Sequence, residues 1–167
     1  MSMTLSAGWV APQVGTGGDP YLKLRLDAEI TALIPMVFAQ EVLVVPEERL
    51  TLIPNMPAWA LGLLNQRSRV FWVVDLLRLF NQDAFAVSQR LYNIVILRAD
   101  QMPLGIAVPQ VNGVLRFPSE ALQSPVGAVS DHLTPYLRGC VPWENDILLV
   151  LDPQAIVRAA VRAGSAG

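Results

Sequence analysis

One cysteine, Cys140, and one histidine, His132, occur among the 167 residues. A lone thiol excludes an intramolecular disulfide and leaves no cysteine pair for zinc, which fits a reducing compartment. Charge is scarce as well. Only 16% of residues are charged, against roughly 25% in an average soluble domain, and lysine is almost absent beside arginine. With a net charge of −2 and a pI near 5.3, the chain lacks the basic footprint that phosphate backbones demand, so no nucleic-acid partner is expected. Long apolar runs are missing too. The charge-free stretch from Leu50 to Gln66 is broken by Pro54, Asn55, Pro57 and Asn65, and no window supplies the roughly 18 apolar residues of a spanning helix. Met1-Ser2-Met3-Thr4-Leu5 offers neither the basic residues nor the apolar run of a signal peptide, so a cytoplasmic protein without membrane insertion is expected.

What is present is apolar side chain. At 53% hydrophobic residues and a mean hydropathy of +0.41, the chain has ample material for a core and cannot be mainly disordered. Its length suits one ordinary domain or two very small ones sharing a core. Apolar surface in excess of what a core needs points to partner proteins.

Catalytic constellations are not apparent. His132 lies in a loop beside Asp131 with no nucleophile motif near it, and Cys140 sits in an apolar strand pattern that suits a structural thiol. Ser68 stands between Arg67 and Arg69, outside any nucleophile-elbow pattern, and Glu47-Glu48 read as a solvated pair. No enzymatic activity, cofactor or metal is therefore expected. More informative are Glu41, in an apolar stretch, and Arg67: half-buried charges need partners, and an arginine with a carboxylate satisfies both. Two independent surface charges are the alternative.

Along the chain, residues 1–20 are rich in Gly, Ser, Thr, Pro and Ala, and read as a flexible tail. Leu22, Leu24 and Leu26 alternate with Tyr21, Lys23 and Arg25, the pattern of a half-buried strand. Further strands are expected at 30–35, 43–46, 50–53 and 69–75, with a short helical turn in 36–42, a short helix after Pro57 and a helical turn at 76–80. Beyond the polar break 81–90, strands are expected at 91–98, 104–108, 111–117, 138–141 and 147–151. Asp152-Pro153 then opens a last helix through Arg162. Short, closely spaced strands with few helices argue for a mainly β protein built as small barrels.

Taken in order, Gln40-Glu41-Val42, Leu50-Thr51-Leu52-Ile53-Pro54, Pro57 through Leu64, Asn65-Gln66-Arg67 and Val73-Val74-Asp75-Leu76 resemble the CheW-like family, adaptors that couple chemoreceptors to a histidine kinase. The second half agrees, in Pro103-Leu104-Gly105-Ile106-Ala107-Val108, Gly113-Val114-Leu115, Pro135-Tyr136-Leu137-Arg138-Gly139 and Ile147-Leu148-Leu149-Val150-Leu151-Asp152. The resemblance implies two five-stranded β-barrel subdomains around a shared core, with a few short helices and no catalysis. The expected division is a tail over 1–20, a domain over 21–162 and a second tail over 163–167. Within the domain, the first barrel takes 21–85, the second 86–152, with strand exchange between them allowed, and the closing helix 153–162.

Partners and site residues follow from the same resemblance. The implied partners are the hairpin tip of a chemoreceptor's cytoplasmic part and the regulatory domain of a CheA-type kinase. Met36, Ala39, Gln40, Val111 and Arg67 would face the receptor, Leu50 and Thr51 the kinase, and Glu41 with Arg67 would form a structural salt bridge. Two departures stand out: Ser68 replaces the usual glycine after the motif arginine, and Phe71-Trp72 falls where a proline is usual. The variant Arg67-Ser68-Arg69-Val70-Phe71-Trp72 resembles adaptors of arrays that steer pilus-driven motility or phototaxis. An oligonucleotide- or small-ligand-binding barrel is the alternative, since small barrels serve many functions.

Overall fold

The computed structural model describes residues 2–3, 17–80, 90–125, 127 and 129–166. Twelve strands run in the order β1 (Ser2–Met3), β2 (Asp19–Arg25), β3 (Thr31–Pro35), β4 (Ala39–Pro46), β5 (Leu50–Thr51), β6 (Ala60–Gln66) and β7 (Arg69–Asp75), then, after helix α1 (Leu76–Phe80), β8 (Leu91–Ala99), β9 (Met102–Val108), β10 (Gln110–Phe117), β11 (Leu137–Trp143) and β12 (Asp146–Leu151). Helix α2 (Pro153–Ala166) closes the chain.

The strands form two curled sheets, one ordered β1-β4-β8-β9-β7-β6-β5 and the other β10-β2-β3-β12-β11. The larger sheet has five full strands and a two-residue strand at each margin; the smaller has five. The polar break, whose residues 81–89 lie outside the described residues, does not separate the sheets. It falls between α1 and β8, and the flanking strands β7 and β8 both belong to the larger one. The chain instead changes sheet between β1 and β2, at the 3-10 turn Met36–Phe38 and again at Pro109. The cause is pairing: β2 and β3 alone would leave two bare edges, and they are completed by β10 antiparallel to β2 and β12 parallel to β3. Each sheet therefore holds strands from both halves of the sequence.

Strand alternation sorts the apolar residues into three cores. Leu43, Val45, Leu64, Phe71, Val73, Ile94 and Ile96 fill the inside of the larger sheet. Leu33, Leu115, Phe117, Val141, Leu148 and Val150 fill the smaller. Their opposite-parity neighbours Leu22, Leu24, Ile34, Val95, Leu97, Leu104 and Ile106 meet between the sheets, joined by Ile156 and Val157 of α2. Gly105 lets β9 pack closely over the larger sheet's interior, since a Cβ there would lie 3.1 Å from methyl groups of both Ile94 and Val73.

Several sequence expectations need correction: the helical turn over 36–42 is confined to Met36–Phe38, with β4 already extended from Ala39, and the strand over 50–53 spans only Leu50–Thr51. The segment after Pro57 is a strand, β6, and not a helix: it pairs with β7 from Ala60 to Gln66, and burial alternates at Gly62 and Leu64. Strand β2 begins at Asp19 and β1 pairs with Leu43 and Val42 of β4, so the N-terminal segment is not all tail; residues 4–16 lie outside the described residues. Helix α2 continues past Arg162 to Ala166. Its start is as expected, with Asp152 Oδ1 accepting the Ala155 N–H at 3.2 Å and Pro153 at the first position.

Candidate functional site

A β-bulge in β4 places the first residues of interest. At Ala39/Glu41 the register slips, with Ala39 opposite Leu97 and Glu41 opposite Ile96, so Gln40 is the extra, exposed residue. The slip sends Ala39 toward the core between the sheets and Glu41 to the mouth of the larger sheet's interior. There Glu41 Oε2 lies 3.2 Å from Arg67 Nη2. The side chains differ sharply in exposure, 68% for Arg67 and 15% for Glu41. The contact is an ion pair without hydrogen-bond alignment, for Glu41 Oε2 is out of solvent and accepts no hydrogen bond. Because β4 and β6 are four places apart in the sheet order, this pair also marks where the sheet curls round on itself.

Arg67 is carried on a two-residue turn and not on a helix end. Gln66 pairs with Arg69, while Arg67 and Ser68 adopt φ of 53° and 64°, the two positive values of a type I′ hairpin turn. Ser68 thus takes the left-handed conformation that glycine would adopt without strain.

Met36, Ala39 and Gln40 follow one another on the crossover between the sheets. Met36 and Ala39 are half-buried against the shared core, and the intervening Val37 is fully offered to solvent. The Arg138 guanidinium stacks 4.9 Å from the Phe38 ring and reaches Asp152 at 4.0 Å, tying the turn to the start of α2. Val111 also packs on the shared core but at a distance: it pairs with Leu24, whereas the crossover leaves from Pro35, opposite Tyr21, about 10 Å away along β2. The structure therefore groups Met36, Ala39 and Gln40, sets Arg67 beside Glu41, and leaves Val111 at the other end of β2.

Leu50 and Thr51 form the marginal strand β5. Leu50 opposes Leu64 and packs half-buried on the larger sheet's core, while Thr51 opposes Leu63 and faces outward. Strand β5 lies close to its neighbour only because Gly62 has no side chain: at φ 138° a Cβ there would sit 2.3 Å from the Thr51 carbonyl oxygen. Beyond the strand, Leu52 is 79% exposed.

The registers connect these places. Ala39 pairs with Leu97 and Leu97 with Leu104; Leu104 lies beside Trp72, one residue back from the Val73 and Gly105 pair; Trp72 pairs with Leu63, and Leu63 with Thr51. Residues read from sequence as facing two different partners therefore stand at opposite ends of one cross-strand row on the outer face of one sheet. Sequence reading missed Leu52, Leu63 and Trp72. The signal was there in Val70-Phe71-Trp72-Val73, which is apolar at both parities of a strand and so leaves Val70 and Trp72 apolar on an exposed face.

Burial pushes the Asp75 carboxyl above its ordinary range, opposed by the N–H of Arg78, which it caps at 3.3 Å. Burial, and then the nearby Asp19, push Tyr21 up. His132 is exposed, and Cys140 is buried with its thiol 3.6 Å from the Ser124 carbonyl oxygen. Among the described residues no group of three His, Cys, Asp or Glu could hold a metal, and no helix is long and apolar enough to cross a membrane.

Two curled sheets wrapped on a common core make this a paired-β-barrel protein. Its family follows from the sequence as well: the family model of the CheW-like domain matches residues 20–161, and the chain belongs to that family. The chemotaxis protein CheW of Treponema pallidum (strain Nichols) is 30% identical over 103 residues, which make up 60% of this chain and 61% of that protein, so less than two thirds of the relative's length is spanned. The crystal structure of the scaffolding protein TtCheW from Thermoanaerobacter tengcongensis has the same fold, with a TM-score of 0.71 at 19% identity over 81% of this chain and 90% of that one.

Proposed function

We propose that the protein is a non-catalytic, cytoplasmic chemotaxis-type adaptor that couples a chemoreceptor to a CheA-type histidine kinase. The observation that carries the reading is the row from Ala39 to Thr51, which gives one stiff sheet an apolar docking place at each end. The receptor's hairpin tip docks at Met36, Ala39 and Gln40, with Val111 at the far end of the same seam and Arg67 at the rim. The kinase's regulatory domain docks at the β5 margin, on Thr51 and the edge of Leu50. Membership of the CheW-like family supports both assignments. The segment from Arg67 to Trp72 supports an array that steers pilus-driven motility or phototaxis.

The test uses Thr51, whose side chain is exposed and outside the core, in preference to Leu50, which packs inside it. Thr51→Arg should weaken binding of the isolated regulatory domain by about tenfold or more in a calorimetric titration, and leave the thermal melt unchanged. Ala39→Asp should abolish co-sedimentation with receptor-bearing membranes and spare kinase binding. Full affinity in both folded variants would remove both surfaces from the adaptor's work.

A further inference from the structure

A groove of about 300 Å³ opens on the outer face of the larger sheet, where the row passes under α2. Trp59, Trp72, Met102, Leu104, Val157 and Val161 line it, with no charged side chain among its walls. It is small for an organic ligand and has no convergent polar groups to orient one. It suits a few apolar side chains projecting from a protein surface. Trp72, Met102 and Val161 at its mouth are exposed.

Distance says which protein. Thr51, Leu63 and Trp72 occupy adjacent strands in register, so the groove's near wall is two strand spacings, about 10 Å, from the proposed kinase contact. A stable interface covers about 800 Å² on each partner, a patch on the order of 30 Å across. Strand β5 adjoins β6 and then β7, so a patch that takes in the outer face of the sheet at Thr51 extends over Leu63 and Trp72. The apolar side chains Leu52 and Val70 flank the same face and carry no charge to oppose the partner.

We infer that this groove is a second, specificity-setting pocket for the kinase's regulatory domain, filled by apolar side chains which that domain presents next to its contact with β5. The inference rests on the adaptor reading above. Trp72 sets the pocket's width, so the pocket discriminates among regulatory domains by the size of the side chain they present.

Purified CheW-like regulatory domain of a CheA-type kinase from the source organism is titrated against the full chain and the variants Met102→Glu, Val161→Glu and Thr51→Arg. Each groove variant should lose about tenfold or more in affinity, because a carboxylate is then buried against apolar side chains. Melting curves verify folding, and Val161→Glu, on the solvent side of α2, decides should Met102→Glu melt early. Weakening by Thr51→Arg alone overturns the pocket and leaves the adaptor reading standing. No weakening by any variant overturns both. Sedimentation of the chain alone gives the other occupant: self-association that the groove variants abolish, with kinase affinity intact, assigns the groove to a second copy and overturns the inference.

Discussion

Removing either partner of the Glu41–Arg67 pair should have unequal consequences, and the inequality follows from exposure. Arg67 is 68% exposed, so once Glu41 becomes Gln its guanidinium returns to water, and the loss is that of an exposed pair, about 0–1 kcal/mol. Glu41 is 15% exposed with Oε2 out of solvent, so Arg67→Met leaves a carboxylate oxygen with no partner, a loss of about 1–3 kcal/mol. The backbone term cancels, because both Arg and Met are L-residues at the same φ of 53°. In the Glu41→Gln background, Arg67→Met should then cost almost nothing, giving a coupling energy of about 1–3 kcal/mol. At this chain length the Arg67→Met loss corresponds to a fall in Tm of about 2–12 °C. Urea denaturation of the four proteins of the cycle measures it. Equal losses for the two single variants, or a larger loss for Glu41→Gln, would refute the reasoning.

Ser68→Gly should raise Tm by about 1–4 °C, since relief of a left-handed φ of 64° is worth about 1–2 kcal/mol and glycine's greater unfolded freedom returns about half of it; a lower Tm would mean that the serine side chain holds the turn. Gly62→Ala should destabilise by about 2 kcal/mol or more and speed hydrogen exchange at β5, because its Cβ lands on the Thr51 carbonyl, whereas Gly17→Ala, with open space around it, should be silent. Asp75→Asn should be more stable than wild type at neutral pH. Burial raises the Asp75 pKa, so its neutral form is favoured in the fold, and its contribution is complete below the ordinary carboxylate pKa and lost as pH rises through the raised one. Asparagine caps α1 without that charge, and the gain should fade as pH falls; a gain independent of pH, seen in urea midpoints from acid to neutral, would contradict it.

Period-two alternation made the strands legible: Leu22, Leu24 and Leu26 do face one core while Tyr21 turns to the other. The capped start of α2 was legible because Asp152 and Pro153 act locally. Residues 58–64 were misread as helix for a tertiary reason. Trp59-Ala60-Leu61-Gly62-Leu63-Leu64 has good helix formers, but its conformation is set by β7 on one side and β5 on the other, and Gly62 at φ 138° is incompatible with a helix. The turn at Arg67-Ser68 concealed the hairpin, since it lacks the glycine that usually announces one. The junction between sheets was placed at the polar break because composition reports exposure and not pairing; that β12 returns beside β3 is a contact across more than a hundred residues.

Site residues were less legible than strands because face depends on register, and the bulge at Gln40 resets it. Without the slip at Gln40, Ala39 would share the face of Glu41, Leu43 and Val45 by simple alternation, and would point into the larger sheet's interior instead of into the seam between the sheets. With it, one residue serves the proposed receptor seam and the other the rim of the barrel. The row from Ala39 to Thr51 crosses five strand spacings, about 24 Å along the curled sheet. A packed sheet of this kind does not stretch, so the separation of the two docking places is fixed by strand count and not by side-chain choice. On the proposed reading, an adaptor on this plan holds its two partners at a set distance. Substitutions along the row then alter which partner is held, as Trp72 does on the inference above, without altering how far apart the partners stand.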